Sequence, residues 1–365
     1  MPLSSRSASR LAPSRLLQPL VSAAIFDFWA GQLAPGVAWN RPLARVVERR
    51  VEARDTVTLV LRPNRHFRGF LPGQHVNLGV EVDGRRLSRS YSLTSIPRRD
   101  RLLSITVKRI EGGKVSGQLC SRTRVGDVLE IGQAFGEMTL AEPTGTRRLL
   151  LAAGSGITPL ISLVRQRAAA GAAADLTLIY WARSRAELCF VRELNDIAAA
   201  QPGFRVHFVL TRENDLLPGE FRGRPDAALL ESLVPDLADR RVYACGPGGF
   251  VGTLRGLLDG RVPSFAAEAF TPSPIASTAT GSVRVQLLAS GRTLEIPAGQ
   301  ALLPALEAQG LQPAYGCRMG ICNTCACAKL EGSTQNLDTG EIQTESDSAL
   351  RLCVSRACTD LTLDL

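Results

Sequence analysis

Four cysteines near the end of the chain set the tightest constraint on its fold. Cys317, Cys322 and Cys325 obey C-x4-C-x2-C, and Cys353 follows after 27 further residues. Thiolates at this spacing are the ligand set of a two-iron, two-sulfur (2Fe-2S) cluster. Soft, anionic sulfur suits iron, and the loop must wrap the cluster with its backbone amides turned onto the sulfurs. Gly316 and Gly320, within "YGCRMGICNTCACAKL", suit such a loop because a side chain would block close backbone approach. A zinc site more usually shows two C-x2-C pairs, and only Cys322/Cys325 make one. Cys120, Cys189, Cys327 and Cys358 fall outside the spacing and read as core residues. Nine cysteines, an odd number, are no disulfide framework by themselves. The expected setting is cytoplasmic and reducing, where clustered cysteines hold metal or do redox chemistry.

A chain of 365 residues exceeds one ordinary core, and its patterning changes along its length. Residues 1–40 form an extension in which Leu17, Leu20, Val21, Ala24, Ile25 and Phe28 recur at helical spacing. It reads as a helix packed on the body or as a surface for a membrane-bound partner, with Phe26, Phe28 and Trp29 as anchors and Arg6, Arg10 and Arg15 facing lipid phosphate. Residues 41–143 favour short strands such as "GQHVNLGVEV", "RSYSLTS" and "LLSITVKRI", separated by Pro72-Gly73, Asp83-Gly84 and Gly112-Gly113, the pattern of an antiparallel barrel or sandwich. In residues 144–270, apolar strands "RRLLLAA", "LTLIYWA", "FRVHFVLT" and "RRVYACG" alternate with helical stretches, as in a parallel α/β sheet. Residues 271–282 read as a linker, and residues 283–365 as a hairpin, a helix and the cysteine loop. No run of about 18 apolar residues exists to span a membrane. The net charge of +9 is no nucleic-acid footprint, because aromatics are only 5% and the basic residues are scattered. Charge divides usefully instead: from Gly281 onward six Lys/Arg oppose nine Asp/Glu, net −3, which leaves +12 on the rest.

Residues 283–365 resemble a plant-type ferredoxin domain of β-grasp fold, and residues 41–270 resemble the ferredoxin-NADP reductase superfamily. That resemblance implies three domains: a flavin-binding antiparallel β-barrel, an α/β nucleotide-binding domain with a parallel sheet, and a 2Fe-2S domain. "RSYS" matches the flavin signature: Arg89 is expected to neutralise the flavin diphosphate, Tyr91 to offer a flat face to the isoalloxazine and Ser92 to reach its polar edge, with Ser90 between them. "GGKVS", Gly112, Gly113, Lys114, Val115 and Ser116, matches the second flavin motif, where glycines leave room and amides opening a helix bind pyrophosphate, favouring FAD over FMN.

"AAGSGITP" ends a strand and opens a helix, so Gly154, Ser155, Gly156, Thr158 and Pro159 are expected at a dinucleotide pyrophosphate. "YACGPGGF" matches the late motif beside the nicotinamide, where Cys245, Gly246 and Pro247 stand. Cys245 is expected to border the transferring carbon, and Tyr91, Ser92 and Cys245 form the catalytic set. Arg183, Ser184 and Arg212 fall where NADPH-using relatives bind the extra phosphate, so NADPH is preferred to NADH, which stays possible. Phe270 either covers a flavin face or packs in the core. His66, His75 and His207 read as ordinary barrel and strand residues. The implied activity is a relay from NAD(P)H through FAD and the cluster to a partner, expected to be a membrane fatty-acid or acyl-CoA desaturase. The alternatives are a ring-hydroxylating dioxygenase or another monooxygenase as partner, or a redox-sensing iron-sulfur protein.

Overall fold

The computed structural model describes residues 22–33, 36–82, 84–140, 146–171, 175–270 and 281–365. The linker expected at 271–282 and the arginines of the leader fall largely or wholly outside the described residues.

The first body is an antiparallel sheet of six strands: β1 Leu43–Ala53, β2 Thr56–Pro63, β3 His75–Val82, β4 Arg85–Ser92, β5 Leu103–Lys108 and β6 Val128–Ile131. Their order is β4-β3-β6-β1-β2-β5, and a bridge between Leu93 and Ile105 brings the two edges together into a barrel. Alternation places Val46, Leu59, Leu61, Val76, Leu78 and Ile105 inside, each with no exposed surface. Burying such a side chain is worth about 1.5–3 kcal/mol. Helix α1, Ala23–Leu33, is tied to the barrel's entry: Asp27 accepts from the Trp39 amide at 2.7 Å and from Arg41 Nε at 2.8 Å, and Phe26 meets Trp39 edge-on. Ile25, Trp29 and Leu33, at helical spacing, are exposed. Phe26 therefore serves the barrel rather than acting as an outward anchor. Helix α2, Lys114–Ser121, packs over β3, β4 and β5.

The second body is a fully parallel sheet of β7 Arg148–Ala153, β8 Leu176–Ala182, β9 Phe204–Leu210, β10 Glu220–Arg222, β11 Arg241–Gly246 and β12 Ser264–Ala269. Strand order is β10-β9-β8-β7-β11-β12. Helices α3 Ile157–Ala170, α4 Val191–Ala200, α5 Ala227–Leu233 and α6 Gly248–Leu258 connect them. The near-continuous apolar runs seen in the sequence are what burial on both faces of such a sheet demands. The chain leaves β7 toward β8 on one side and reaches β11 on the other. Crevices open at the carboxyl ends of strands where the order reverses, so the β7/β11 junction is the natural ligand position.

The third body is a mixed sheet ordered β14-β13-β20-β15-β18, a β-grasp arrangement, from β13 Ser282–Leu287, β14 Thr293–Pro297, β15 Ala326–Glu331, β18 Asp347–Arg351 and β20 Leu361–Asp364. Helix α7, Leu302–Ala308, covers it, and β16 Thr334–Asn336, β17 Ile342–Gln343 and β19 Ser355–Ala357 form a small second sheet. Cys120, Cys189 and Cys327 are buried, as expected. Cys358 is exposed and corrects the expectation of a core residue: it follows the last residue of β19, where its amide donates to Ser333 O and the side chain turns to solvent.

Candidate functional site

The end of β4 carries Arg89, Ser90, Tyr91 and Ser92, paired with Leu78, Asn77, Val76 and His75 of β3. Period-two alternation sends Tyr91 toward the barrel core and leaves Ser90 and Ser92 on the opposite face with Asn77 and His75. Burial pushes the Tyr91 phenol well up, the Cys120 thiol adds to this and Arg89 opposes it, so the hydroxyl stays protonated. Ser90 Oγ donates to Asn77 Oδ1. Packing of α2 on β3 and β4 brings Gly112, Gly113, Lys114, Val115 and Ser116 to the same end of the barrel. Gly113 is needed there because a Cβ would stand 2.5 Å from Ser116 Oγ, the atom that accepts from the Ile110 amide at 3.1 Å. Val115 is core.

Gly154, Ser155 and Gly156 form a single 3-10 turn between β7 and α3, with Gly154 at φ +55°. Thr158 Oγ1 donates to Ser155 O at 2.9 Å and Pro159 is buried in the first turn of α3. Register pairs Ala152 with Cys245, so this turn lies beside Gly246 and Pro247, which open α6. The fit is close enough that a Cβ on Gly156 would stand 1.9 Å from Cys245 O, and one on Gly246 2.9 Å from Phe250. Cys245 itself has no exposed surface, and burial, followed by Glu268, raises its thiol well above the ordinary value. Its thiol thus stays neutral and presents no surface; the backbone at the strand end borders the crevice. Phe270 donates its amide to Gly246 O and packs on the core that includes Cys245.

Arg183, Ser184 and Arg212 are brought together at the ends of β8 and β9, where the Arg212 amide donates to Arg183 O at 2.8 Å. Both arginine side chains are exposed, and Ser184 Oγ is buried without a hydrogen-bond partner. The adjacent Arg185 is occupied, holding both oxygens of Glu220 at 2.7 and 2.6 Å.

In the cysteine loop, Cys317, Cys325 and Cys353 are 4% exposed while Cys322 is half-buried. Amides of Met319, Ile321 and Cys322 point at Cys317 Sγ at 3.3–3.4 Å, that of Cys317 at Cys322 Sγ at 3.1 Å and that of Gly320 at Cys353 Sγ at 3.2 Å. Hydrogen bonds from Cys322 and Cys353, then amides, lower the Cys317 thiol, and Cys353 lowers Cys325. Burial instead pushes Cys120 and Cys189 up to about 11 and Cys327 up to about 12. The pairing with Cys317 raises the Cys322 and Cys353 thiols. Amide dipoles aimed at sulfur favour thiolate, and three cysteines on the loop with Cys353 just beyond β18 fit a 2Fe-2S cluster. Among the described residues no three side chains surround one point as a single metal ion requires. The glycines are obligatory: a Cβ on Gly316 would stand 2.8 Å from Cys322 Sγ, and one on Gly320, at φ +72°, 2.8 Å from Val354.

This loop meets the barrel. Arg318 and Arg89 lie over the Tyr315 ring at 3.8 and 5.7 Å from its centroid, and the position of a Gly316 Cβ is 3.3 Å from Asn77 Nδ2. A cleft of about 330 Å³ opens where Arg255 of α6 and Glu268 of β12 face Met319, Ile321 and Asp338. A larger hollow of about 640 Å³, behind the seam between Glu52, Phe190 and Asp196, contains none of the candidate residues. Tyr315, Asn77, His75 and Glu268 were not assigned roles from the sequence, because each gains its meaning from a partner on another domain.

Comparison with known proteins matches the oxidoreductase FAD-binding domain over residues 43–139, the oxidoreductase NAD-binding domain over 150–255 and the 2Fe-2S iron-sulfur cluster binding domain over 285–358. An NADPH oxidoreductase of Mycobacterium tuberculosis is 33% identical over 88% of this chain and 83% of its own length. The chain belongs to the ferredoxin reductases that carry a C-terminal 2Fe-2S domain. The glycine betaine monooxygenase reductase subunit of Chromohalobacter salexigens is 32% identical over 77% of this chain and 82% of its own. Among solved structures, phthalate dioxygenase reductase aligns at TM-score 0.57 and 25% identity, covering 88% of this chain and 97% of its own. This family member is an oxidoreductase that uses FAD, NAD(P)H and a 2Fe-2S cluster.

Proposed function

We propose that the chain takes hydride from NADPH and delivers electrons through its cluster domain to an oxygen-activating partner enzyme. The observation that carries this is the meeting of Tyr315 and Gly316, at the mouth of the cysteine loop, with Arg89 and Asn77 on the strands of the flavin motif. FAD, when bound, would supply the two-electron to one-electron conversion that a one-electron cluster requires. The chain's residues supply position. Tyr91 offers a neutral ring, Arg89 and the amides opening α2 face phosphate, and the Gly154–Gly156 turn and the Gly246-Pro247 loop hold the nicotinamide end at reacting distance. Arg183 and Arg212, with the unpartnered Ser184 hydroxyl, favour the extra phosphate of NADPH over NADH. We assign residues 41–143, 144–270 and 283–365 to the three domains, joined by 271–282.

Relatives named as reductases of betaine and ketosteroid monooxygenases support an oxygenase as acceptor. The exposed stripe of Ile25, Trp29 and Leu33 on α1 favours an acceptor at a membrane, such as a fatty-acid desaturase, approached from the cytoplasmic face. Among the described residues no helix is long and apolar enough to cross a membrane. Deleting residues 1–40 separates the two acceptors. Loss of vesicle binding with retained reduction of an artificial acceptor supports a membrane partner, and unchanged binding refutes it. A sensor role predicts no steady NADPH-driven reduction of cytochrome c, so sustained turnover excludes it.

A further inference from the structure

The seam between barrel and nucleotide domain buries an acid and a base that the relay leaves without a task. His75, at the start of β3, is 1% exposed and stacks on Phe135, with centroids 5.9 Å apart. Its Nε2 lies 3.0 Å from Glu268 Oε2, yet both ring nitrogens and that oxygen are buried without a hydrogen-bond partner. Nδ1 faces Gly136, where a Cβ would stand 3.0 Å away. The two residues sit at the candidate site through their strands: His75 is the register partner of Ser92, and Glu268 that of Cys245.

A largely buried carboxylate is costly unless a partner offsets its charge, and the imidazole is the group nearest Glu268 Oε2 on the buried side. One added proton turns the pair into imidazolium facing carboxylate, which removes the net charge. The geometry offers one proton a place between Nε2 and Oε2, 3.0 Å apart. The relay has one to dispose of, because hydride brings two electrons and one proton's worth of hydrogen while the cluster removes electrons only.

We propose that His75, paired with Glu268, takes up the proton left behind when the hydride's two electrons have passed to the cluster. The bond to hydrogen at the cofactor breaks, the electrons leave singly, and H+ moves to the imidazole. It then reaches solvent past Glu268, which is 12% exposed and lines the cleft beside Arg255, Arg351 and Asp338. Besides Arg255, Arg351 and Asp338 in that cleft, the Cys245 thiol, kept neutral by burial, lies within reach of the Glu268 charge. The inference rests on the hydride-to-cluster reading.

The test uses the full-length holoprotein. The first arm follows the His75 imidazole by 15N NMR across pH in wild type and Glu268→Gln. The account predicts at least a tenfold loss of proton affinity in the variant, about one pH unit in midpoint; an unmoved midpoint overturns the pairing. The second arm times flavin bleaching and cluster bleaching after mixing with NADPH, in wild type and in His75→Phe, which keeps a ring on Phe135. The ratio of cluster rate to flavin rate should fall about tenfold. Equal slowing of both steps would mean a structural latch and overturn the proposal. Failure of wild type to bleach at all would instead sink the reductase reading.

Discussion

The molecule has two internal seams, and they are made differently. Barrel and nucleotide domain are joined by directional bonds: Lys108 to Glu187 at 2.5 Å, Arg165 Nη1 to Thr94 O, the Gly73 amide to Ser162 Oγ at 2.7 Å and the Arg54 amide to Ala186 O at 2.8 Å. The cluster domain meets the barrel through a cation-aromatic contact at Tyr315 and a close approach at Gly316, and the nucleotide domain across the cleft lined by Asp338 and Arg255. The difference matches the two transfers. Hydride moves only at near contact, so flavin and nucleotide frames must be locked. Single electrons tolerate distance, so the second seam can be softer and can release the cluster to a partner. The −3/+12 charge division adds attraction across it, which salt would weaken.

Breaking the outlet should give the largest effect. Cys325→Ser removes a proposed cluster ligand, and cytochrome c reduction is expected to fall to background while NADPH still bleaches the flavin in stopped flow. Next comes the nucleotide turn: Gly156→Ala drives a Cβ against Cys245 O, and thermal unfolding should show a loss of about 2–3 kcal/mol with weakened NADPH binding. At the locked seam, Lys108→Met strands the partly buried Glu187 and should lower stability by about 1–3 kcal/mol in urea melts, slowing both transfers together. At the soft seam, Tyr315→Leu should slow cluster reduction alone, by roughly fivefold, equivalent to about 1 kcal/mol.

The smallest effect is a pH signature within the nucleotide domain. Hydrogen bonding from Arg185 lowers the Glu220 carboxyl below its ordinary value. The stabilisation is therefore present above the unfolded carboxylate value and lost as pH falls through the lowered one. Glu220→Gln should destabilise at pH 7, and the gap from wild type should close as pH falls through the lowered carboxyl value in urea melts.

Local chemistry was legible in the sequence, and contacts between distant segments were not. Cysteine spacing, the alternation of "VNLGVEV" and the buried runs of β7, β8 and β11 each announce their element, since ligand geometry, pleat and burial on both faces act over a few residues. The glycine motifs were legible too, though only the structure shows that Gly156 answers to Cys245 O. His75 looked like an ordinary strand histidine because Glu268, its partner, lies on β12 in another domain. Tyr315 was passed over as loop sequence for the same reason. Cys358 was misjudged because residue type does not tell which way a side chain turns after a strand ends.

The relay itself is tested most directly by anaerobic titration of the purified holoprotein with NADPH, followed by absorption and electron paramagnetic resonance. The account predicts that flavin bands bleach and a reduced 2Fe-2S signal grows with them, whereas Cys353→Ser bleaches flavin and gives no such signal. A wild-type protein whose flavin is reduced while its cluster stays oxidised would contradict it.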